Sequence, residues 1–183
     1  WAPDKADRRS PLYGPAGTAL RIGAASSEYP GEIDDISDTY EVHEWVDRTP
    51  VTVNGLHVEP FKVSHPPSTF GLRITGPDGE VLVYSGDTGY ADVVVDLARD
   101  ADLFLCEASW THAPGERPVD LHLSGSEAGE LASRAAARSL ALTHVVPWSD
   151  ADEILDEARA AYKGPLQLVH QGQIIEVRPP FPG

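Results

Sequence analysis

The sequence contains no methionine and only one cysteine, Cys106. A single cysteine excludes an internal disulfide framework and fits a reducing compartment, so we expect a cytoplasmic protein. Long apolar runs are also missing. Nothing in the chain approaches the roughly 18 apolar residues of a membrane span, and no signal peptide is visible, so we expect no membrane partner.

Basic residues are scarce as well. The chain has 14 Lys and Arg against 29 Asp and Glu, which gives a net charge of −15. A surface that binds a long phosphate backbone normally carries the opposite sign. Large nucleic acid is therefore a poor candidate partner, whereas a small anionic ligand held by metal ions is compatible with this charge.

The length and the apolar content fit one domain. A chain of 183 residues lies within the usual range of about 100–200 residues for a single domain, and 41% hydrophobic residues can build a core. We therefore expect residues 1–183 to form a single domain. Because the chain starts at Trp1 and lacks methionine, we also expect that it does not start at a natural initiation site.

The first fifty residues are rich in Pro, Gly, Ser and Asp and show little periodicity. Residues 12–18 predict a short strand that ends in a turn and opens a helix. Residues 28–47 contain eight acidic residues and no Lys or Arg, which predicts a solvated loop with a short helical stretch.

Regular structure is predicted after residue 48. Asn54-Gly55 and the segment 76–79 mark the turns of two hairpins, with strands at 49–53, 57–63, 70–75 and 80–85. Helical spacing, with caps at Ser124 and at Ser149 or Asp150, predicts helices at 90–99, 124–138 and 151–162. Buried strands are predicted at 103–106 and 140–143, and a last strand pair at 166–170 and 173–177. Hairpins followed by strand–helix units indicate a layered α/β (α+β) domain with helices packed on sheet faces.

Four polar residues follow predicted strand ends: His65, Asp87, Glu107 and His144. Sites in layered α/β folds are assembled at such ends, and His and Asp are ligands of zinc-like divalent metals. Each residue also has a structural interpretation, since a lone histidine often sits in a turn and Asp87 can cap a turn or a helix. Spacing alone leaves both interpretations open.

Three motifs resemble the metal motifs of metallo-β-lactamase-fold hydrolases. The segment 64–73 (SHPPSTFGLR) resembles the third metal motif of that family. The segment 84–88 (YSGDT) resembles the strand end whose aspartate bridges two metals, and 142–144 (LTH) resembles the last ligand motif. The resemblance runs from about Leu12 to Val177.

Two further motifs resemble the ribonuclease Z-like phosphodiesterase branch of the family. CEAS at 106–109 stands where that branch carries His-Glu-Ala-Thr, and HLS at 122–124 where it carries His-Ser-Thr. The segments 23–27, 31–35 and 120–125 are similar to segments of actinobacterial cyclic-nucleotide phosphodiesterases. Cys106 departs from the histidine of the branch.

The resemblance implies that the chain forms the C-terminal portion of an αββα sandwich. It also implies a centre of two divalent metal ions, for which Zn²⁺ is preferred and Mn²⁺ or iron is also compatible. His65, Asp87 and His144 match three of the seven ligands of that centre. The other four belong to a His-x-His-x-Asp-His motif, which we expect upstream of Trp1. This chain alone should therefore bind metal weakly and hydrolyse nothing. A homodimer is implied by the resemblance only.

The resemblance also implies catalytic roles. His122 is the candidate general acid, and Glu107 would orient and charge-stabilise its ring, with Asp120 as a weaker alternative. Ser124 either contacts a phosphate oxygen or only caps a helix, and Phe70 either stacks on a base or belongs to the core. Arg73 is expected to form an ion pair rather than to bind phosphate, whereas Trp110 and Trp148 either line a pocket or pack at an edge.

Three functions remain as alternatives. The first is hydrolysis of small phosphodiesters such as cyclic AMP, and the second is processing of transfer-RNA 3′ ends. Many endonucleases of the second kind carry a long arm between the residues matching His65 and Asp87, yet here only 87 − 65 = 22 positions separate them. The small-substrate activity is therefore preferred over the endonuclease and over a β-lactamase. The third alternative is a non-catalytic fragment.

Overall fold

The computed structural model describes residues 9–112, 118 and 120–179. The chain divides into two compact units, Trp1–Val46 and Asp47–Gly183. Within the described ranges, no helix is both long enough and apolar enough to cross a membrane.

The first unit is a strand–helix–strand arrangement. Strand β1 (Ser10–Gly14) leads through a turn into helix α1 (Thr18–Ser26), as residues 12–18 predict. Strand β2 (Tyr40–Glu44) then pairs in parallel with β1. The prediction of a loop over 28–47 is wrong for β2, because half-buried Tyr40 and Val42 alternate with exposed Glu41 at the period of a strand.

The second unit is built on one seven-stranded sheet. Its strands follow the chain order β3-β4-β5-β6-β7-β8-β9 across the sheet: β3 (Val51–Val53), β4 (Leu56–Val63), β5 (Thr69–Thr75), β6 (Val81–Tyr84), β7 (Leu103–Glu107), β8 (Leu140–Thr143) and β9 (Leu166–Leu168). Strands β3 to β6 pair antiparallel as two hairpins, and β6 to β9 pair in parallel. The mixed sheet thus agrees with the predicted α/β (α+β) class.

Three helices connect the parallel strands: α2 (Asp92–Ala98), α3 (Gly125–Arg134) and α4 (Ala151–Ala161). They cover one face of the sheet, where side chains from adjacent strands form a fully enclosed core with the helices (Val83, Phe104, Leu140, Leu142, Leu97, Leu131 and Ile154). Helices α3 and α4 approach closely because Gly129 faces Ala158. A Cβ atom on Gly129 would lie 2.7 Å from the Ala158 carbonyl oxygen.

Two predicted elements differ from the structure. Helix α3 ends at Arg134 rather than near residue 138, because Ala136 has the left-handed φ of 53° and turns the chain toward β8. The predicted strand at 173–177 does not form in the described part of the chain. Strand β9 instead extends the sheet in parallel beside β8, and Ile174 is 95% exposed.

Candidate active site

The candidate site lies where four strands of the sheet end. Strands β4, β6, β7 and β8 run in the same direction, so the residues that follow them meet at one edge. His65 follows β4, Asp87 follows β6, Glu107 ends β7 and His144 follows β8. His122, which precedes α3, inserts among them.

The separations between these groups show that they converge. The His122 ring centroid lies 5.3 Å from that of His65 and 5.1 Å from that of His144. Nδ1 of His144 lies 3.6 Å from Oδ1 of Asp87. Asp87 therefore lies beside His144, and it also offers a carboxylate oxygen within 4.8 Å of ring nitrogens of His65 and His122. The convergence is a finding, and the metal-binding roles remain a prediction.

Backbone contacts tie the loops of the site together. The Gly89 amide donates to the Ser64 carbonyl at 2.8 Å, which joins the loop of Asp87 to that of His65. The Ser109 amide donates to the Leu123 carbonyl at 2.9 Å, which joins the end of β7 to the loop of His122. The positions of the side chains are thus fixed by hydrogen bonds between loops as well as by the sheet.

Left-handed backbone conformations orient two residues of the site. Gly86, immediately before Asp87, has a φ of 63°, and a Cβ atom there would lie 2.6 Å from the Phe70 carbonyl oxygen. Glycine is therefore required at this turn. His144 itself has a φ of 60°, which is uncommon for a residue with a side chain and occurs mainly where the surrounding structure holds it in place.

Glu107 is the buried centre of the site. Its carboxylate is 0% exposed. One oxygen, Oε1, accepts from the Thr88 amide at 2.6 Å and lies 3.0 Å from Nδ1 of His122. The other, Oε2, accepts from the Ser109 hydroxyl at 2.9 Å and from the Leu123 amide at 3.3 Å. Four donors therefore hold this carboxylate in one position.

Each of the three site histidines directs Nδ1 into the protein. Nδ1 of His122 faces Glu107, and Nδ1 of His144 lies 3.0 Å from the Ser109 hydroxyl. Nδ1 of His65 lies 3.4 Å from both the Pro67 carbonyl and the Thr69 hydroxyl. Metal-ligating histidines usually engage their second ring nitrogen in this way, which leaves Nε2 as the ligand atom.

The donor set fits a divalent cation. In the described part of the chain, two groups of three residues bring one potential ligand atom each within 4.8 Å of the others: His65, Asp87 and His122, and also Glu107, His122 and His144. Imidazole nitrogens and carboxylate oxygens suit Zn²⁺ and other first-row metals without selecting one of them. The predicted trio of His65, Asp87 and His144 is not one of these two groups in the described part of the chain, and its metal-binding role stays a prediction.

Negative charge and burial shift two neighbouring pKa values. Burial raises the pKa of the Cys106 thiol well above its ordinary value, and the adjacent Glu107 carboxylate adds to this effect. Burial also raises the pKa of the Tyr84 phenol, with smaller contributions from Asp87 and Glu107. Both groups therefore stay protonated, and Cys106 fills a histidine position of the resembled branch as a neutral core residue.

The remaining predicted site residues differ in their surroundings. Ser124 is 0% exposed, and its hydroxyl forms a capping box with Glu127 and contacts Nδ1 of His112 at 2.9 Å. The helix-cap role is therefore confirmed, while contact with substrate stays a prediction. Phe70 is half-buried on β5. Asp120 is exposed, and Glu107 is the carboxylate that reaches His122.

The structure also shows the surroundings of three other side chains near the motifs. Arg73 donates to the carbonyls of Leu97 and Arg99 at the end of α2, so its expected ion pair is wrong for the described part of the chain. Trp110 packs edge-on against His122, with ring centroids 5.2 Å apart. Trp148 is 84% exposed.

Sequence reasoning missed two supporting residues. Ser109 links Glu107 to His144, and the Thr88 amide anchors Glu107. Both residues lie within the sequence motifs. Ser109, however, contacts a residue 35 positions away, and Thr88 contacts one 19 positions away. Only the register of β7 beside β6 and β8 reveals those contacts.

Comparison with known proteins gives three consistent results. The profile of the beta-lactamase superfamily domain matches residues 3–145. An uncharacterized protein of Mycobacterium tuberculosis is 52% identical over 178 residues, which cover 97% of this chain and 65% of that protein. A ribonuclease Z of Halorubrum lacusprofundi is 38% identical over 132 residues, which cover 70% of this chain and 39% of that enzyme.

Solved structures agree on the fold. The metallo-beta-lactamase fold protein YhfI of Bacillus subtilis superposes with a TM-score of 0.74 at 23% identity, and the match covers 89% of this chain and 63% of YhfI. The chain therefore spans about two thirds of the length of its mycobacterial relative and of YhfI.

Proposed function

The chain belongs to the beta-lactamase superfamily, and from this premise we propose that it carries the proton-donating part of a metal-dependent phosphodiesterase that hydrolyses small phosphodiesters such as cyclic nucleotides. The observation that supports the proposal most directly is the pair of His122 and the buried Glu107 beside Asp87 and two further histidines. A metal cluster alone would serve many reactions. A histidine backed by a carboxylate adds a proton donor for a leaving group.

Two divalent cations would supply Lewis acidity at phosphorus and an activated water nucleophile at neutral pH. His65, Asp87 and His144 would contribute to holding them, together with ligands from outside this chain. Zn²⁺ is our first choice, and Mn²⁺ or iron also suits these donors.

Residues of this chain would donate the proton that the leaving group needs. Nδ1 of His122 donates to Glu107, and the negative carboxylate stabilises the charged imidazolium. The proton on Nε2 is then available for the leaving alkoxide. Trp110 packs edge-on against the ring of His122 and would limit its rotation. A positioned general acid of this kind usually contributes about 10²–10⁴-fold to the rate.

Two observations support a small substrate over transfer RNA. Only residues 66–86 lie between His65 and Asp87, and the hairpin of β5 and β6 within this segment leaves no room there for an RNA-binding arm. The net charge of −15 also disfavours binding of a long phosphate backbone. The relative named ribonuclease Z keeps transfer-RNA 3′ processing as the second candidate. A cytoplasmic location and a homodimer remain part of the proposal.

The test uses the whole protein with added Zn²⁺ or Mn²⁺. We expect hydrolysis of 2′,3′- or 3′,5′-cyclic nucleotides, and a loss of about 10²–10⁴-fold in kcat for His122→Ala. His57→Ala is the matched control, because His57 is exposed at the opposite end of β4. Cleavage of precursor transfer RNA without action on cyclic nucleotides would overturn the substrate class. A His122→Ala rate within about threefold of wild type would remove the proton-donor assignment.

A further inference from the structure

Trp148 is an aromatic residue near the candidate active site that the proposed chemistry does not use. It lies on the loop between β8 and α4, shortly after His144. Trp148 is 84% exposed, although tryptophan is on average a highly buried residue in folded proteins. An exposed indole offers a large, rigid apolar surface to a ligand.

The backbone that carries Trp148 is a tight turn. The Ser149 amide donates to the Val146 carbonyl at 3.0 Å, which closes a four-residue turn with Pro147 in its second position. The proline ring fixes one backbone angle of that turn. The indole therefore stands on a support with little backbone freedom, which lowers the entropy that is lost when a ligand binds to it.

The same turn is joined to the candidate active site through Ser109. The Val146 amide donates to the Ser109 carbonyl at 3.4 Å, and the Ser109 hydroxyl lies 3.0 Å from Nδ1 of His144. That hydroxyl also donates to Glu107. The support of Trp148 and two groups of the site thus share one residue, which places the turn at the border of the site.

The charges that follow the turn indicate which part of a ligand fits there. Asp150, Asp152 and Glu153 are exposed at the start of α4, directly after Trp148. A phosphate group beside the indole would meet three carboxylates, and like charges at such a contact are unfavourable. A neutral planar group avoids this repulsion and can stack on the indole. A nucleobase has both properties, since every base has a π-face.

We propose that Trp148 is a stacking platform for the base of a mononucleotide whose phosphodiester is bound at the strand ends. The inference rests on the proposed function and narrows it, because the substrate then carries a base, with purines preferred for their larger ring surface. A polynucleotide is disfavoured, since its next phosphate would approach the acidic start of α4. Trp148 contributes to substrate binding and takes no part in bond cleavage.

The first experiment measures binding without hydrolysis. The whole protein with Zn²⁺ is titrated with adenosine 5′-monophosphate and with ribose 5-phosphate, which has the same sugar and phosphate but no base. Wild type should bind the nucleotide about 5- to 100-fold more tightly, as expected for one base stacked on an aromatic side chain. Trp148→Ala should lose most of this preference, and Trp148→Phe, which keeps an aromatic face, should retain part of it. Cytidine 5′-monophosphate should bind with intermediate affinity to wild type.

The second experiment measures hydrolysis of the cyclic adenosine phosphates by the same variants. Because stacking is equally present in the ground state and the transition state, Trp148→Ala should raise KM about 5- to 100-fold and leave kcat within about threefold of wild type. Tyr29→Ala is the matched control, since Tyr29 is also an exposed aromatic residue and belongs to the other compact unit. It should change neither constant.

An unchanged preference for the nucleotide in Trp148→Ala would overturn the proposal. An equal loss of affinity for ribose 5-phosphate, or a fall in kcat at constant KM, would overturn it as well, because both indicate a structural role. So would a change of oligomeric state with the base preference intact, which would assign Trp148 to a protein interface.

The two experiments separate this proposal from the proposed function. If no phosphodiester is hydrolysed while adenosine 5′-monophosphate still binds through Trp148, the proposed function fails and the stacking platform stands. If cyclic nucleotides are hydrolysed and Trp148→Ala behaves as wild type in both experiments, only the stacking platform fails.

Discussion

Nδ1 of His122 lies 3.0 Å from Oε1 of Glu107, and the other oxygen of the same carboxylate accepts the hydroxyl of Ser109, which in turn contacts His144. One buried carboxylate thus orients two histidines, one directly and one through a hydroxyl. The candidate proton donor and a candidate metal ligand consequently share a single structural support.

Replacing Glu107 by Gln should destabilise the fold. The carboxylate accepts from the Thr88 and Leu123 amides, the Ser109 hydroxyl and His122. A Gln amide offers one acceptor oxygen and turns its NH₂ group toward donors, so buried donors lose partners. We expect the free energy of unfolding to fall by about 1–3 kcal/mol, measured by urea denaturation.

Glu28→Gln is the matched control for that substitution, since Glu28 is exposed. It should change the unfolding free energy by less than about 0.5 kcal/mol. An equally small change for Glu107→Gln would show that the four contacts do not hold the carboxylate.

Ser109 can be tested with two side chains of equal size. Ser109→Thr keeps the hydroxyl between Glu107 and His144, and Ser109→Val adds the same volume without it. If His144 is a metal ligand in the whole protein, Val should weaken Zn²⁺ affinity by about 10–100-fold relative to Thr. Competition with a chelator measures this ratio, and equal affinities would separate Ser109 from metal binding.

Ser124→Ala tests the helix cap. The hydroxyl accepts the Glu127 amide at 3.2 Å at the start of α3, so its loss should lower the unfolding free energy by about 0.5–2 kcal/mol. Ser124→Asn should restore most of that stability, because its amide oxygen can accept the Glu127 amide while its NH₂ group faces the Glu127 carboxylate. If the KM for cyclic nucleotide of the whole protein stays raised in Ser124→Asn, the hydroxyl also contacts substrate.

Cys106 should react with a thiol reagent only after unfolding. The side chain is fully buried, and burial together with Glu107 raises its pKa. Because the folded thiol holds its proton more tightly than the unfolded one, this contribution to stability is complete below the ordinary thiol pKa and is lost as the pH rises above it. Ellman's reagent at pH 8 should therefore modify Cys106 at the rate of unfolding, and rapid labelling of the native protein would contradict this.

The sequence predicts most of the elements that carry the site. The Asn54-Gly55 turn predicts the first hairpin, and the helical and strand patterns that alternate after Gly86 predict alternating helices and strands, as observed. Because strands β6 to β8 run in parallel, their ends bring Asp87, Glu107 and His144 together. Residues that follow strand ends are therefore predictable from hydrophobic pattern alone.

The sequence does not reveal which strand pairs with which, or which groups a polar side chain contacts. Strand β9 has the composition of a hairpin strand, yet it pairs in parallel with β8. Arg73 could equally pair with an acid, but it binds carbonyls at the end of α2. The link from Ser109 to His144 crosses 35 residues. Such contacts depend on strand register, which local sequence patterns do not determine.

The missing side chain at Gly129 has an effect well away from that residue. Helix α3 begins at Gly125, three residues after His122. Gly129 lets this helix pack closely against Ala158. A methyl group at position 129 would push helix α3 away from α4, and the imidazole of His122 would move with the helix. A misplacement of about 1 Å lowers a catalysed rate by about 10²-fold, so we expect reduced turnover from a substitution that alters no reacting group.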